Sequence, residues 1–157
     1  MSLAKATNSA LPSDALLPKD TRRALPIALL KARETLMVRF RPILHAHDVT
    51  EQQWRVLRVL GEESPLDASE VADRACVLAP SLTRIIKALE ERALISRQRD
   101  TGDGRRISLA IAPAGMSLIR DVTPDTQAIY AELEDSYGRE RIDRLLDMLG
   151  ELAEQKW

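Results

Sequence analysis

Apolar positions along the chain follow two periods, and the switch between them outlines the fold. From about Thr21 to Leu44, the residues Leu25, Leu29, Ala32, Leu36, Phe40 and Ile43 recur at steps of three and four. That spacing lays them along one stripe of a helix. Pro26 near its start is tolerated, because first-turn N–H groups have no intrahelical acceptor, whereas Pro42 is expected to kink or end the helix near Arg41. Thr50 followed by Gln53 forms a capping box for a second helix, in which Trp54, Leu57 and Leu60 face inward until Gly61. After a Ser-Pro turn, Asp67 with Glu70 opens a short helix through about Cys76, and Pro80 opens another that runs to about Arg92.

Beyond Leu94 the period changes to two. Ile107, Leu109 and Ile111 point one way, and Asp100-Thr101-Gly102-Asp103-Gly104 has the residues of a hairpin tip. Pro113 starts a long helix, with a bend allowed at Pro124. After Gly138 a last helix gathers Ile142, Leu145, Leu146, Leu149 and Leu152 on one face. Met1 to Lys19 shows no sustained apolar period and reads as a flexible arm, residues 1–20, ahead of one domain over residues 21–157. The predicted fold class is mainly α with a small β-wing.

Composition agrees with that outline. The 157 residues are 45% hydrophobic and 30% charged but only 3% aromatic, as in a single helical globular domain. The one cysteine, Cys76, has no intrachain disulfide partner, and no cysteine–histidine spacing suits zinc. No apolar run approaches the ~20 residues of a membrane helix, and no basic-then-apolar leader is present, so the expected location is cytoplasmic. No metal or other cofactor is expected. The net charge of -1 conceals a division. Ala79 to Arg106 holds seven Lys/Arg against four Asp/Glu, whereas Asp121 to Trp157 holds ten acidic and four basic residues.

Two short helices followed by a basic hairpin are the parts of a winged helix-turn-helix, whose second helix enters the major groove. In the helix from Pro80 to Arg92, the residues Leu82, Ile85, Ile86 and Leu89 anchor to the core and leave Ser81, Thr83, Arg84 and Lys87 to face a groove. Arg84 can make a bidentate contact to guanine. Ser69, in the preceding short helix, joins the same DNA-facing set. Arg97, Arg99, Arg105 and Arg106 lie on the arms of the hairpin, where they reach phosphates or the minor groove. A lone basic hairpin is more often a solvated surface; it is the helix pair before it that turns the reading towards DNA.

Ala79-Pro-Ser-Leu-Thr-Arg-Ile-Ile-Lys-Ala-Leu-Glu-Glu-Arg-Ala-Leu-Ile-Ser-Arg, then Asp100-Thr-Gly-Asp-Gly-Arg-Arg and Ala112-Pro-Ala-Gly, resemble the signature of the MarR family of transcriptional regulators. The likeness covers roughly Thr21 to Trp157. It implies that Asp103 orients a wing-tip arginine, Arg105 or Arg106, into the minor groove. It departs at Ala93, where the family commonly has glycine, and at Ala112, where Thr or Ser is usual. Leu25-Pro-Ile-Ala-Leu-Leu-Lys-Ala-Arg-Glu, Phe40-Arg-Pro, Thr50-Glu-Gln-Gln-Trp-Arg-Val-Leu-Arg and Leu78-Ala-Pro-Ser-Leu further resemble the homoprotocatechuate-degradation regulators of that family. The resemblance implies a homodimer built from helices at about 21–45 and 113–157, and DNA-binding lobes at about 50–112. It also implies a palindromic double-stranded operator and repression relieved by a small aromatic carboxylate.

The first helix can be read for such a ligand. Arg22, Leu29, Arg33 and Phe40 fall on one side of it at steps of seven, four and seven, so that two cations flank an apolar strip. An arginine fork for a carboxylate, with Phe40 and Trp54 for the ring, suits an aromatic acid, and salt bridges to the acidic last helix suit the same residues equally. His45 is a further donor candidate. Cys76 either lines the cavity, acts as a redox sensor, or is inert packing. No phosphate loop, metal cluster or nucleophile elbow appears, and His45 and His47 are the only histidines, which argues against an enzyme. A winged-helix protein-interaction module remains the rival to a DNA-binding regulator.

Overall fold

The computed structural model describes residues 20–99 and 107–157, so the expected hairpin tip Asp100–Gly104, with Asp103, and the expected wing residues Arg105 and Arg106 lie outside the described residues, as does the expected arm up to Lys19. The chain forms two units, Met1–Val38 and Arg39–Trp157.

Among its described residues the first unit holds a 3-10 turn, Thr21–Arg23, and the opening turns of helix α1, Leu25–Ala46. Asp20 caps the turn by accepting from the Arg22 backbone N–H at 2.9 Å, and Arg22 Nε donates to the same carboxylate. These bonds hold the Asp20 carboxyl below its ordinary pKa. Arg22 therefore precedes α1 instead of lying on it, which corrects the expected start at Thr21. The helix begins where Pro26, lacking an N–H, fits the first turn. No residue between Leu25 and Val38 is buried, and the apolar stripe is exposed at Leu25, Leu29 and Leu36.

In the second unit α1 runs through Pro42 to Ala46 and does not stop near Arg41. Pro42 removes one intrahelical hydrogen bond, on a solvent-exposed side of the helix, and the turns after it are held by buried Leu44. α2, Glu51–Glu62, starts at the predicted capping box: Thr50 Oγ1 accepts from Gln53 N at 3.1 Å, and Gln53 Oε1 accepts from Thr50 N at 3.0 Å. Leu57 and Leu60 are fully buried, joined by Val56, while Trp54 is half-buried. A two-residue strand, β1 (Leu66–Asp67), follows and had no signal in the apolar period. Asp67 then caps α3, Ala68–Arg74, by accepting from Glu70 N at 2.8 Å. That helix ends short of Cys76, whose φ of +50° is left-handed.

α4, Ala79–Glu91, and the hairpin β2 (Ile95–Arg99) and β3 (Ile107–Ile111) complete the winged helix-turn-helix. β3 is the central strand of an antiparallel sheet in the order β1-β3-β2, with Leu66 opposite Leu109 and Ile95 opposite Ile111. The predicted alternation holds at Leu109, which is buried, and partly at Ile111. Ile107 is exposed, as the first residue of β3, and Ala110 is buried on the other face. Ala93 carries the chain from α4 into β2 with φ +54°, which accounts for the glycine usual there.

α5, Pro113–Tyr137, buries Gly115, Ile119, Val122, Thr126 and Ile129 at helical spacing, with Pro124 inside it. Ala112 occupies its N-cap without a side-chain hydrogen bond, the consequence of lacking a hydroxyl. At Gly115 an added Cβ would lie 2.1 Å from the Leu94 carbonyl oxygen, so the helix start and the sheet meet there backbone to backbone. After Gly138, at φ +94°, α6 covers Arg139–Ala153 and buries no residue. Its predicted apolar face is present, yet Leu145 and Leu146 are exposed and Ile142, Leu149 and Leu152 only half-buried. The core joins α2, α3, α4, the sheet and the start of α5 through Val56, Leu57, Leu60, Val71, Leu89 and Leu109.

Candidate nucleic-acid interface and ligand cavity

α4 is amphipathic in the manner required of a reading helix. Leu82, Ile85, Ile86 and Leu89 are buried, as the sequence predicts, and Pro80, Thr83, Arg84 and Lys87 are exposed at steps of three, one and three. Those four share a stripe opposite the core face. Ser81 departs from expectation: it is half-buried and lies at the border of that stripe. Ser69 is exposed in the first turn of α3. Arg74 fixes α3 from its other end, with Nη1 2.7 Å from Glu63 and Nη2 bonded to Glu70. The two carboxylates raise the Arg74 pKa, Glu63 most.

Arg99 is exposed at the end of β2. Arg97, expected to present its charge outward, instead donates from Nε to both carboxylate oxygens of Glu90 at 2.9 Å. β2 is thereby tied to the last turn of α4. The pairing follows from position: Arg97 stands opposite Leu109 on the sheet, next to the helix end that carries Glu90.

A cavity of about 220 Å³ opens between the end of α1, α2 and α5. Phe40, Trp54, Arg58, Thr123, Thr126, Gln127 and Tyr130 line it. Phe40 meets the Tyr130 ring edge-on, with centroids 5.4 Å apart at 61°, which makes an aromatic wall. Arg58 supplies the positive charge and forms an exposed ion pair with Glu62 at 3.1 Å. Thr123 and Thr126 turn their hydroxyls to helix carbonyls, Ile119 O at 2.6 Å and Thr123 O at 2.9 Å. Arg39 braces the same region through Glu132 at 2.6 Å.

Of the ligand residues expected from sequence, Phe40 and Trp54 are brought together here. Arg22 and Arg33 belong to the first unit, where Arg22 pairs with Asp20 and Arg33 with Glu34 at 3.1 Å. His45 is exposed in the last turn of α1 and does not line the cavity. Cys76 does not line it either. It is exposed in a separate open hollow with Ala72, Asp73, Val77 and Leu78, so it is not core packing. Arg58, Tyr130 and the α5 polar residues were missed. Arg58 had a signal, since it lies one turn beyond Trp54 on α2; Tyr130 had none, because only tertiary packing sets it against Phe40. Among the described residues no cluster of three His, Cys, Asp or Glu side chains could hold a metal ion, and no helix is long and apolar enough to cross a membrane.

The family profile described as MarR family matches residues 49–107, from the turn before α2 into β3. The chain is 39% identical to the HTH-type transcriptional regulator FarR of Neisseria gonorrhoeae, over 87% of this chain and 94% of that protein. It is 37% identical to the homoprotocatechuate degradative operon repressor of Escherichia coli, over 82% of this chain and 86% of that one. The solved structure of NadR in complex with 4-hydroxyphenylacetate superposes with a TM-score of 0.79 at 38% identity, covering 89% of this chain and all of that one (100%). Helix pair, wing and relatives agree: this chain belongs to the MarR family of winged-helix transcriptional regulators.

Proposed function

We propose that the protein is a non-enzymatic, sequence-specific repressor that binds double-stranded DNA through α4 and the wing and leaves it when a small aromatic carboxylate enters the α1–α2–α5 cavity. The observation that carries the DNA half is the exposed stripe Pro80, Thr83, Arg84 and Lys87 on a helix whose opposite face is anchored in the core. Thr83 and Arg84 specify bases, with Ser69 and Ser81 beside them, while Lys87, Arg99, Arg105 and Arg106 meet phosphates or the minor groove and Asp103 orients the wing arginine. Arg97 acts in this scheme by holding the wing strand.

The ligand half rests on the cavity itself. Its 220 Å³ falls below the ~300–1,000 Å³ usual for drug-sized ligands and suits a one-ring acid. Arg58 forks the carboxylate and Phe40, Trp54 and Tyr130 enclose the ring, leaving Thr123, Thr126 and Gln127 for ring hydroxyls. The chemistry of 4-hydroxyphenylacetate, which NadR binds, fits that order of groups.

The exposed apolar residues of α1 and α6, including Leu29, Leu36, Leu145, Leu146 and Met148, support a homodimer formed by the terminal helices. Its operator is then palindromic, with half-sites about one helical turn, ~34 Å, apart or multiples of that. Ligand entry favours a spacing that no longer matches successive grooves.

The test is a duplex selected from a random pool, bound in rising salt, with the Arg84→Ala variant beside the wild type. Arg84→Ala should lose about 1–3 kcal/mol on the selected duplex and relax base preference at particular positions. Equal losses on every sequence would remove Arg84 from base reading, and absence of duplex binding by the wild type at low salt would favour a protein-interaction module.

A further inference from the structure

We propose that Arg92 is a positioning residue for DNA reading: its guanidinium pins the C-terminal end of α4 to the turn between α1 and α2 and so fixes how the exposed face of α4 meets base edges. The inference rests on the reading role of α4.

Arg92 is the C-cap of α4 and is exposed. Its Nη1 donates to the Asp48 carbonyl oxygen at 2.6 Å and its Nη2 to the His47 carbonyl oxygen at 3.3 Å, partners 44 and 45 residues away in sequence. These carbonyls sit just past α1, where the chain folds back on itself: His47 N and Val49 N both donate to Leu44 O, and Asp48 N donates to His45 O. Asp48 is held at φ +54° in that turn. A guanidinium beside the negative end of α1 is favoured by the helix dipole, and its two-pronged fork can serve two successive carbonyls at once, which an ammonium cannot do in the same fixed plane.

The buried side of α4 consists of aliphatic side chains, whose packing attraction has little directionality. A fork onto backbone carbonyls is directional and resists small rotations and slides of the helix. The turn it grips joins the helix that carries Phe40 to the helix that carries Trp54 and Arg58. Arg92 thus links the cavity walls to the reading helix by two hydrogen bonds. It lies eight residues, roughly 12 Å of helix, beyond Arg84. A positioning role and a phosphate-contact role then predict different losses.

The experiment compares wild type, Arg92→Gln and Arg92→Lys on a selected duplex and on a random duplex, each across a salt series, with thermal unfolding as a check on folding. Arg92→Gln should lower the ratio of selected to random affinity about tenfold, leave random-duplex affinity within about twofold with the same salt slope, and Arg92→Lys should recover part of the ratio. An unchanged ratio in Arg92→Gln would overturn the proposal. So would an equal loss on both duplexes with a salt slope shallower by about one, which would make Arg92 a phosphate contact. If Arg92→Gln unfolds, Arg92→Lys decides alone: a reduced ratio supports the pin and a wild-type ratio rejects it. A wild type that shows no preference for any duplex overturns the reading role of α4, and this proposal with it, and is recognised from the wild-type curve alone.

Discussion

Arg97 Nε donates one bifurcated hydrogen bond to both carboxylate oxygens of Glu90, each at 2.9 Å, which fastens the first wing strand to the end of α4. The pair is partly exposed, so its direct contribution to stability is small, at most about 1 kcal/mol. Its larger effect is on where β2 leaves α4. Arg97 and Arg99 should therefore behave differently although both are wing arginines. Arg99→Ala is expected to reduce the salt slope of duplex binding by about one, as loss of a phosphate contact does. Arg97→Ala and Glu90→Ala should instead weaken binding by similar amounts with the slope unchanged. Salt titrations of the three variants measure this, and a shallower slope for Arg97→Ala would return it to the phosphate-contact set.

Ala93 is a non-glycine residue at φ +54°, where a Cβ crowds the backbone at a cost of roughly 1–2 kcal/mol. Glycine removes that strain but adds freedom to the unfolded chain, about 0.4–1 kcal/mol against it. Ala93→Gly should thus stabilise the protein by about 0.5–1 kcal/mol, raising Tm by roughly 1–4 °C for a chain of this size. Ala93→Val should do the reverse. Denaturant melts compare the three, and a lower stability for Ala93→Gly would contradict the strain argument.

Much of this was legible in local chemistry. The capping box at Thr50, the cap at Asp67 and the anchors of α4 stand where their sequence signals lie, because each depends on neighbours within one or two turns. β1 escaped detection: two residues carry no period, and Leu66 is a strand residue only because Leu109 lies opposite. The apolar stripe of α1 has helical spacing but is buried only at Phe40, so period predicted the helix and not its surroundings. At the cavity, Phe40 and Trp54 were readable as aromatics on amphipathic helices, but that Arg58 lines it too depends on packing between α2 and α5.

Among the described glycines, Gly115 at the start of α5 has the least room for a side chain. A Cβ at Gly115 would sit 2.1 Å from the Leu94 carbonyl oxygen and 2.7 Å from Ile111 Cδ1, and the first of these is backbone. At Gly61 the only close atom is Ile119 Cδ1, at 2.6 Å, the end of a side chain that can turn away. Gly115→Ala should therefore destabilise by about 3 kcal/mol or more, at the upper end of overpacking costs. Gly61→Ala should cost about 1 kcal/mol or less, because better helix propensity offsets part of the clash. Urea melts of the two variants test the order, and equal losses would contradict it.

The proposed repressor function depends on one coupling, between the cavity and the exposed face of α4. It is tested most directly by titrating 4-hydroxyphenylacetate into wild type and Arg58→Gln bound to a fluorescently labelled selected duplex, with anisotropy reporting release and calorimetry reporting ligand binding to the free protein. The wild type should release the duplex as ligand binds, with an affinity for the ligand that is lower on the duplex than off it, as linkage requires. Arg58→Gln should hold the duplex as tightly as wild type and fail to release it. Release by Arg58→Gln at wild-type ligand concentrations, or equal ligand affinity in free and duplex-bound wild type, would contradict the account.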